Sequence, residues 1–207
     1  MRGRFITLEG GEAVGKSTQA RRLAAALHGR GVDVLETREP GGSAGAEAIR
    51  GLLLSGEVDR WGPAAEALLF AAARSDHVDR TILPALDEGR WVLCDRFVDS
   101  SIAYQGLVGS IGEARIRALH EVGSDGLMPD RTLLLHLDEA EASERMSRRD
   151  GAGADRFGAR HKDYHAAVHR AFALLARAEP ERVRTVDARG SEDDVTARLV
   201  AELEDLF

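Results

Sequence analysis

Asparagine is absent from these 207 residues, cysteine occurs once and lysine twice. Each shortage excludes something. A chain with no asparagine cannot carry the Asn-Lys-x-Asp element with which GTP-binding switches read guanine. A lone Cys94 allows neither a disulfide framework nor a cysteine-based zinc site, and it suits a reducing cytoplasm. No apolar run approaches the ~18 residues of a membrane span. The opening MRGRFITLEG has a short strand-like stretch and no small-residue cleavage site, so a secretory leader is not expected. The net charge of −7, from 35 acidic against 28 basic residues, weighs against a nucleic-acid partner, because such binding leans on a basic field. Arginine supplies nearly all of the positive charge, so the retained Lys16 needs a reason.

Strand-like and helix-like segments alternate along the chain. FITLEG (Phe5–Gly10), VDVLETREP, WVLCDRF (Trp91–Phe97), RTLLLHLD (Arg131–Asp138) and RVRTVDA (Arg182–Ala188) read as five strands. Lys16 to His28, Ala46–Leu54, Ala64–Leu86 and Asp193–Leu206 read as helices between and after them. Alternation of this kind, with near-continuous apolar strands, predicts one α/β domain over residues 1–207, built on a five-stranded parallel sheet with helices on both faces. Ligands of such sheets sit at the carboxyl ends of the strands, so the residues following each strand carry the functional argument.

GGEAVGKST follows the first strand directly. Gly10, Gly15, Lys16 and Ser17 fill the G-x-x-x-x-G-K-[ST] pattern between strand and helix, which defines a P-loop NTPase fold. Glycines let successive N–H groups turn inward toward phosphate oxygens, and the helix dipole adds positive potential there. Residues Gly10, Gly11, Glu12, Ala13, Val14, Gly15, Lys16, Ser17 and Thr18 therefore form the expected ATP-phosphate cradle. Lys16 supplies a point charge and the Ser17 hydroxyl a ligand for Mg²⁺. A chance glycine-rich turn is the bland alternative, and the flanking pattern with its retained lysine argues against it.

The later strand ends sharpen the reading. TREPGG (Thr37–Gly42) follows the second strand, LLFAAAR places Phe70 and Arg74 on one helix face, and CDRFVDSSIAYQG runs from Cys94 to Gly106. Together with the P-loop and a late DRF, these blocks resemble bacterial thymidylate kinase in family order, across about residues 5–190. The resemblance implies a kinase transferring the γ-phosphoryl of MgATP to dTMP. It implies that Phe70 stacks on thymine, that Arg74, Ser101 and Gln105 face the base edge, and that Tyr104 lies against the sugar. It implies that Arg38, Arg50 and Arg96 gather around the acceptor monophosphate, that Glu39 belongs to the dTMP site, that Glu12 faces the 3′-hydroxyl, and that Asp95 holds Mg²⁺ through water beside Ser17. Phe70 as plain core and Arg74 as a surface charge are the bland alternatives for single residues; the shared order favours the site.

Glu144–Tyr164 packs Arg145, Arg148, Arg149, Arg156 and Arg160 around a Gly-Ala-Gly tract, which reads as a lid of about residues 145–163. With Ala13 in the P-loop slot where some relatives place an arginine, the lid must supply the charge, and Arg149 and Arg156 are the main candidates for catalysis beside Lys16, Glu12 and Arg96. Ala13 and Val14 depart from the small residues usual in this loop, and Gly158 and Ala159 stand where relatives often have an acid. His161, His165 and His169 fall at helical spacing but are expected to face solvent rather than a metal. Family resemblance further implies a homodimer through the helices around Ala64–Leu86 and Ile111–Val122. A kinase for another nucleoside monophosphate and a nucleotide-binding regulator without turnover are the alternatives.

Overall fold

The computed structural model of the chain describes residues 2–138, 141–142, 145, 157–158 and 160–207. Five strands, β1 (Phe5–Glu9), β2 (Val34–Arg38), β3 (Trp91–Asp95), β4 (Arg131–His136) and β5 (Val183–Asp187), form one sheet in the order β2-β3-β1-β4-β5. Every pairing is parallel. All five residues of β1 are buried, as the central strand of a doubly covered sheet requires. The edge strand β2 alternates instead, with Glu36 exposed.

Period-two alternation divides the core. Phe5, Val92, Cys94 and Leu134 point to one face, where they meet Phe97, Ile102 and Phe172. Ile6, Leu8, Leu93 and Leu133 point to the other and meet Leu23, Leu27 and Leu199. The expected sheet is therefore present, with helices against both faces.

Helix α1 (Lys16–Gly29) leaves the P-loop, and α2 (Ala44–Leu54) starts on Ser43, whose side chain accepts from the Ala46 N–H. The helix expected over Ala64–Leu86 is interrupted. It divides into α3 (Pro63–His77), a wide π-helical turn (Val78–Ile82) and α4 (Leu83–Asp87). Pro84 has no N–H to donate and crowds the carbonyl four residues back, so a regular ladder cannot pass through it. The third strand is also shorter than expected. It ends at Asp95 because Arg96 adopts a φ of 71°, far from extended backbone.

Beyond that turn, α5 (Val98–Ser101) widens into a π-helical segment (Ile102–Val108). Helix α6 (Glu113–Ser124), α7 (Lys162–Ala178) and α8 (Glu192–Ala201) complete the layers. A full capping box between Ser191 and Asp194 opens α8. Most of the expected lid, including Arg148, Arg149 and Arg156, lies outside the described residues.

Candidate active site

The P-loop bends where β1 meets α1. Gly10 has a φ of 137°, and a Cβ there would stand 2.6 Å from the Leu135 carbonyl oxygen, so only glycine fits. Gly15 at 96° and Ala13 at 59° complete the left-handed turns. Lys16 Nζ donates to the carbonyls of Gly10 and Gly11, at 3.1 and 2.6 Å. Burial, and then the nearby Arg96 charge, lower its pKa from 10.5 to about 8. Glu12, Ala13, Gly15, Lys16, Ser17 and Thr18 border a cavity of about 440 Å³. Val14 does not: its side chain is buried among Leu8 and Leu135, so it serves the loop through its backbone.

Ser17 Oγ donates to Asp95 Oδ2 at 2.6 Å, joining the first turn of α1 to the end of β3. Among the described residues, Asp95 Oδ1 is buried without a hydrogen-bond partner. A hydroxyl beside a carboxylate with one oxygen unsatisfied fits a hard divalent cation that takes its remaining ligands from phosphate and water.

Arg96 reaches back over the loop. Its Nη1 donates to Gly10 O at 3.1 Å and to Ser100 Oγ at 3.0 Å, and its Nη2 donates to Glu12 Oε1 at 2.6 Å. Tyr104 lies beneath the guanidinium and donates its hydroxyl to the same Glu12 oxygen at 3.2 Å. Glu9 supports this cluster from below, accepting from the Phe97 and Ser100 N–H groups and the Ser100 hydroxyl.

The opposite wall is the expected acceptor side. Arg74 is buried and spans Glu39, from Nε at 2.8 Å, and Ser101, from Nη2 at 2.8 Å. The other Glu39 oxygen lies 3.1 Å from His77 Nδ1. Glu39 is thus a brace for Arg74 and His77, and with Pro40, which follows it across a cis peptide bond, it borders the cavity. Arg50 donates to Pro40 O at 2.5 Å, and Arg38 pairs with Glu47 at 2.9 Å. Phe70, half-buried, presents its ring to the cavity and meets Phe157 edge-on at 5.6 Å.

Three placements differ from expectation. Arg160 does not extend toward a phosphoryl group: it is held by Glu66 at 3.1 Å and lies over the rings of Phe157 and Tyr164. His165 does not face solvent. It is buried, with Nε2 on the Arg160 carbonyl at 3.1 Å, because the apolar stripe of α7 turns it inward with Val168 and Phe172. His169 packs against the loop, its ring 2.6 Å from where a Gly11 Cβ would stand.

Sequence reasoning missed Glu9, Glu66, Ser100 and Phe157. Two carried a signal: Glu9 is a charged residue ending a buried strand at the loop, and Glu66 stands one turn before Phe70 on the face that also carries Arg74.

A phosphate loop at the switch point of a parallel sheet, facing an arginine-lined pocket for a second substrate, defines a P-loop phosphotransferase of the nucleotide-kinase class. The family model described as thymidylate kinase matches residues 8–199, and the chain belongs to that family. It is 60% identical to a thymidylate kinase of Rhizorhabdus wittichii over the full length of both chains. It is 47% identical to one from Bradyrhizobium diazoefficiens, over 99% of this chain and 90% of that protein. The crystal structure of thymidylate kinase from Ehrlichia chaffeensis superposes with a TM-score of 0.79 at 30% identity, covering 99% and 100% of the two chains.

Proposed function

We propose that this protein transfers the γ-phosphoryl group of ATP to the phosphate of dTMP, giving ADP and dTDP. The observation that carries the reading is the Arg96–Glu12 pair, which ties the phosphate loop to the acceptor pocket within one cavity. Phosphoryl transfer asks a protein for position and charge rather than covalent chemistry. An acceptor phosphate oxygen, already ionised near neutral pH, attacks the γ-phosphorus while the β–γ bridging oxygen leaves with ADP. No base is needed.

Lys16 and the P-loop amides hold the donor phosphates, and Arg96 faces both phosphates across the cavity. Ser17 and Asp95 would hold Mg²⁺, which neutralises developing charge on the donor. Phe70 stacks on the base, Arg74, Ser101 and Gln105 face its polar edge, and Arg38 and Arg50 with Arg96 hold the acceptor phosphate. Tyr104 and Glu12 meet the sugar, where the bulk of the ring excludes a 2′-hydroxyl. Arg149 and Arg156 complete the charge from the lid.

The active form is a homodimer in a reducing cytoplasm. Leu68 on α3 and Val122 on α6, 56% and 87% exposed, supply an apolar surface on two helices that pack together. ADP release with MgATP is the test, run in parallel with dTMP, dUMP, dGMP, CMP and no acceptor. Turnover should strongly favour dTMP. Preference for another monophosphate would overturn the base assignment, and nucleotide binding with no turnover would overturn the kinase.

A further inference from the structure

Glu66, Phe70 and Arg74 succeed one another at four-residue intervals along α3 and so share a face. Phe70 and Arg74 border the cavity, while Glu66 is buried behind it between Gln105 and Arg160. Gln105 Nε2 donates to Glu66 Oε1 at 3.0 Å, and Arg160 Nη2 donates to Glu66 Oε2 at 3.1 Å. Arg160 is itself fixed, with its guanidinium 5.0 Å from the Phe157 ring centre and 4.4 Å from that of Tyr164.

The chain of contacts has a consequence for hydrogen-bond polarity. A side-chain amide can donate or accept, and nothing in its shape decides which end faces a neighbour. An ionised carboxylate only accepts, and an arginine beside it stays charged at any accessible pH. Both Glu66 oxygens accept, one from Arg160 and one from Gln105, so Glu66 turns the Gln105 NH₂ inward. The Gln105 carbonyl oxygen is then the amide atom left for a base in the cavity. A carbonyl oxygen matches the N3–H of thymine or uracil. It opposes the bare N3 of a 4-amino pyrimidine, lone pair against lone pair. A glutamine at position 66 would have the same shape but could present either an oxygen or an NH₂ to Gln105, whereas a carboxylate that accepts from Arg160 and Gln105 fixes the polarity.

We propose that Glu66, held by Arg160, is a positioning residue that sets the amide orientation of Gln105 and so makes the acceptor pocket select a pyrimidine carrying an N3–H over its 4-amino counterpart. The inference rests on the reading of Gln105 as a residue of the base pocket.

The test compares kcat/KM for dTMP with that for 5-methyl-dCMP, two acceptors differing only at that edge. In Glu66→Gln the ratio should fall by roughly tenfold or more, because a freed amide can serve either base. The change should appear in KM rather than kcat. A structural role alone would depress both acceptors alike and leave the ratio in place, which overturns the inference. Gln105→Ala separates the two layers. If it also leaves the ratio unchanged, the base-pocket reading fails too; if it collapses the ratio while Glu66→Gln preserves it, only the role of Glu66 fails. Should Glu66→Gln not fold, Arg160→Met must lower the ratio and Arg160→Lys restore it. An unchanged ratio in Arg160→Met overturns the inference equally.

Discussion

The Arg96 guanidinium meets the Glu12 carboxylate at 2.6 Å although 84 residues separate them. The pair makes the P-loop and the turn after β3 one rigid unit. Arg96 holds a φ of 71° to do so, a left-handed conformation that costs a non-glycine residue on the order of 1–3 kcal/mol. Three hydrogen bonds from its guanidinium, to Gly10, Ser100 and Glu12, offset that cost.

Arg96→Ala should therefore lower kcat by about 10²–10³ while the protein stays folded, the usual loss when one preorganised donor is removed from a phosphoryl or oxyanion site. Arg96→Lys should recover little of it, because an ammonium cannot span three acceptors. Steady-state kinetics beside circular dichroism decide this; near-wild-type turnover in the lysine variant would refute the multidentate role.

Lys16 sets an upper pH limit. Burial and the Arg96 charge depress its pKa from 10.5 to about 8, and only the protonated form attracts phosphate. The kcat/KM for ATP, which reports groups of the free enzyme, should fall as pH rises through about 8. A profile flat well above that value would show that Lys16 is not the controlling charge.

Glu9 should make the fold less stable as the medium becomes alkaline. Burial, and then the charge of Asp99, raise its pKa from 4.5 to about 7, so the native chain holds a proton that the unfolded chain has released. That contribution is full below 4.5 and is lost as pH rises through 7. Glu9→Gln should melt higher than wild type above pH 7, by about 2–4 °C per kcal/mol relieved, and together with it near pH 4.5. Parallel melting curves at all pH values would contradict the assignment.

Phe70→Ala removes the ring at the cavity wall. Stacking of a base on an aromatic is worth about 1–3 kcal/mol, so KM for dTMP should rise roughly 5- to 150-fold with a much smaller effect on KM for ATP. Equal changes in both constants would mean that Phe70 acts through packing against Phe157 instead.

Leu68→Glu combined with Val122→Glu places charge on the exposed faces of α3 and α6 and should give a monomer in sedimentation velocity. Wild-type protein sedimenting as a monomer would remove the dimer reading outright.

Much of this was legible in the residues. Strands β1, β3 and β4 announce themselves as short apolar runs, while β2 and β5 alternate with polar residues, and the two-residue period of a strand puts Phe5 and Ile6 on opposite faces. The P-loop is equally plain, because its function demands particular residues at fixed spacing within nine positions. Local reasoning failed where a neighbour far along the chain sets the outcome. His165 looks like one of three solvent-facing histidines until α7 docks its apolar stripe. Arg160 looks like a lid arginine until Glu66 claims it. Ala64–Leu86 is a different case, because the Pro84 that interrupts its helix lies inside the segment and could be weighed from the sequence.

Fold class and the phosphate loop depend on periodicity and short spacing, which the order of amino acids states directly. The pocket depends on pairs such as Arg96 with Glu12, Glu39 with Arg74, and Gln105 with Glu66, separated by 84, 35 and 39 residues. The strand order β2-β3-β1-β4-β5 brings the ends of β1 and β3 side by side, which joins Arg96 to Glu12; the other two pairs need α3 docked against the end of β2 and against the π-helical segment Ile102–Val108. Which strand lies next to which follows from packing the whole chain, and a side chain's partner, protonation and polarity are set only once that packing is complete.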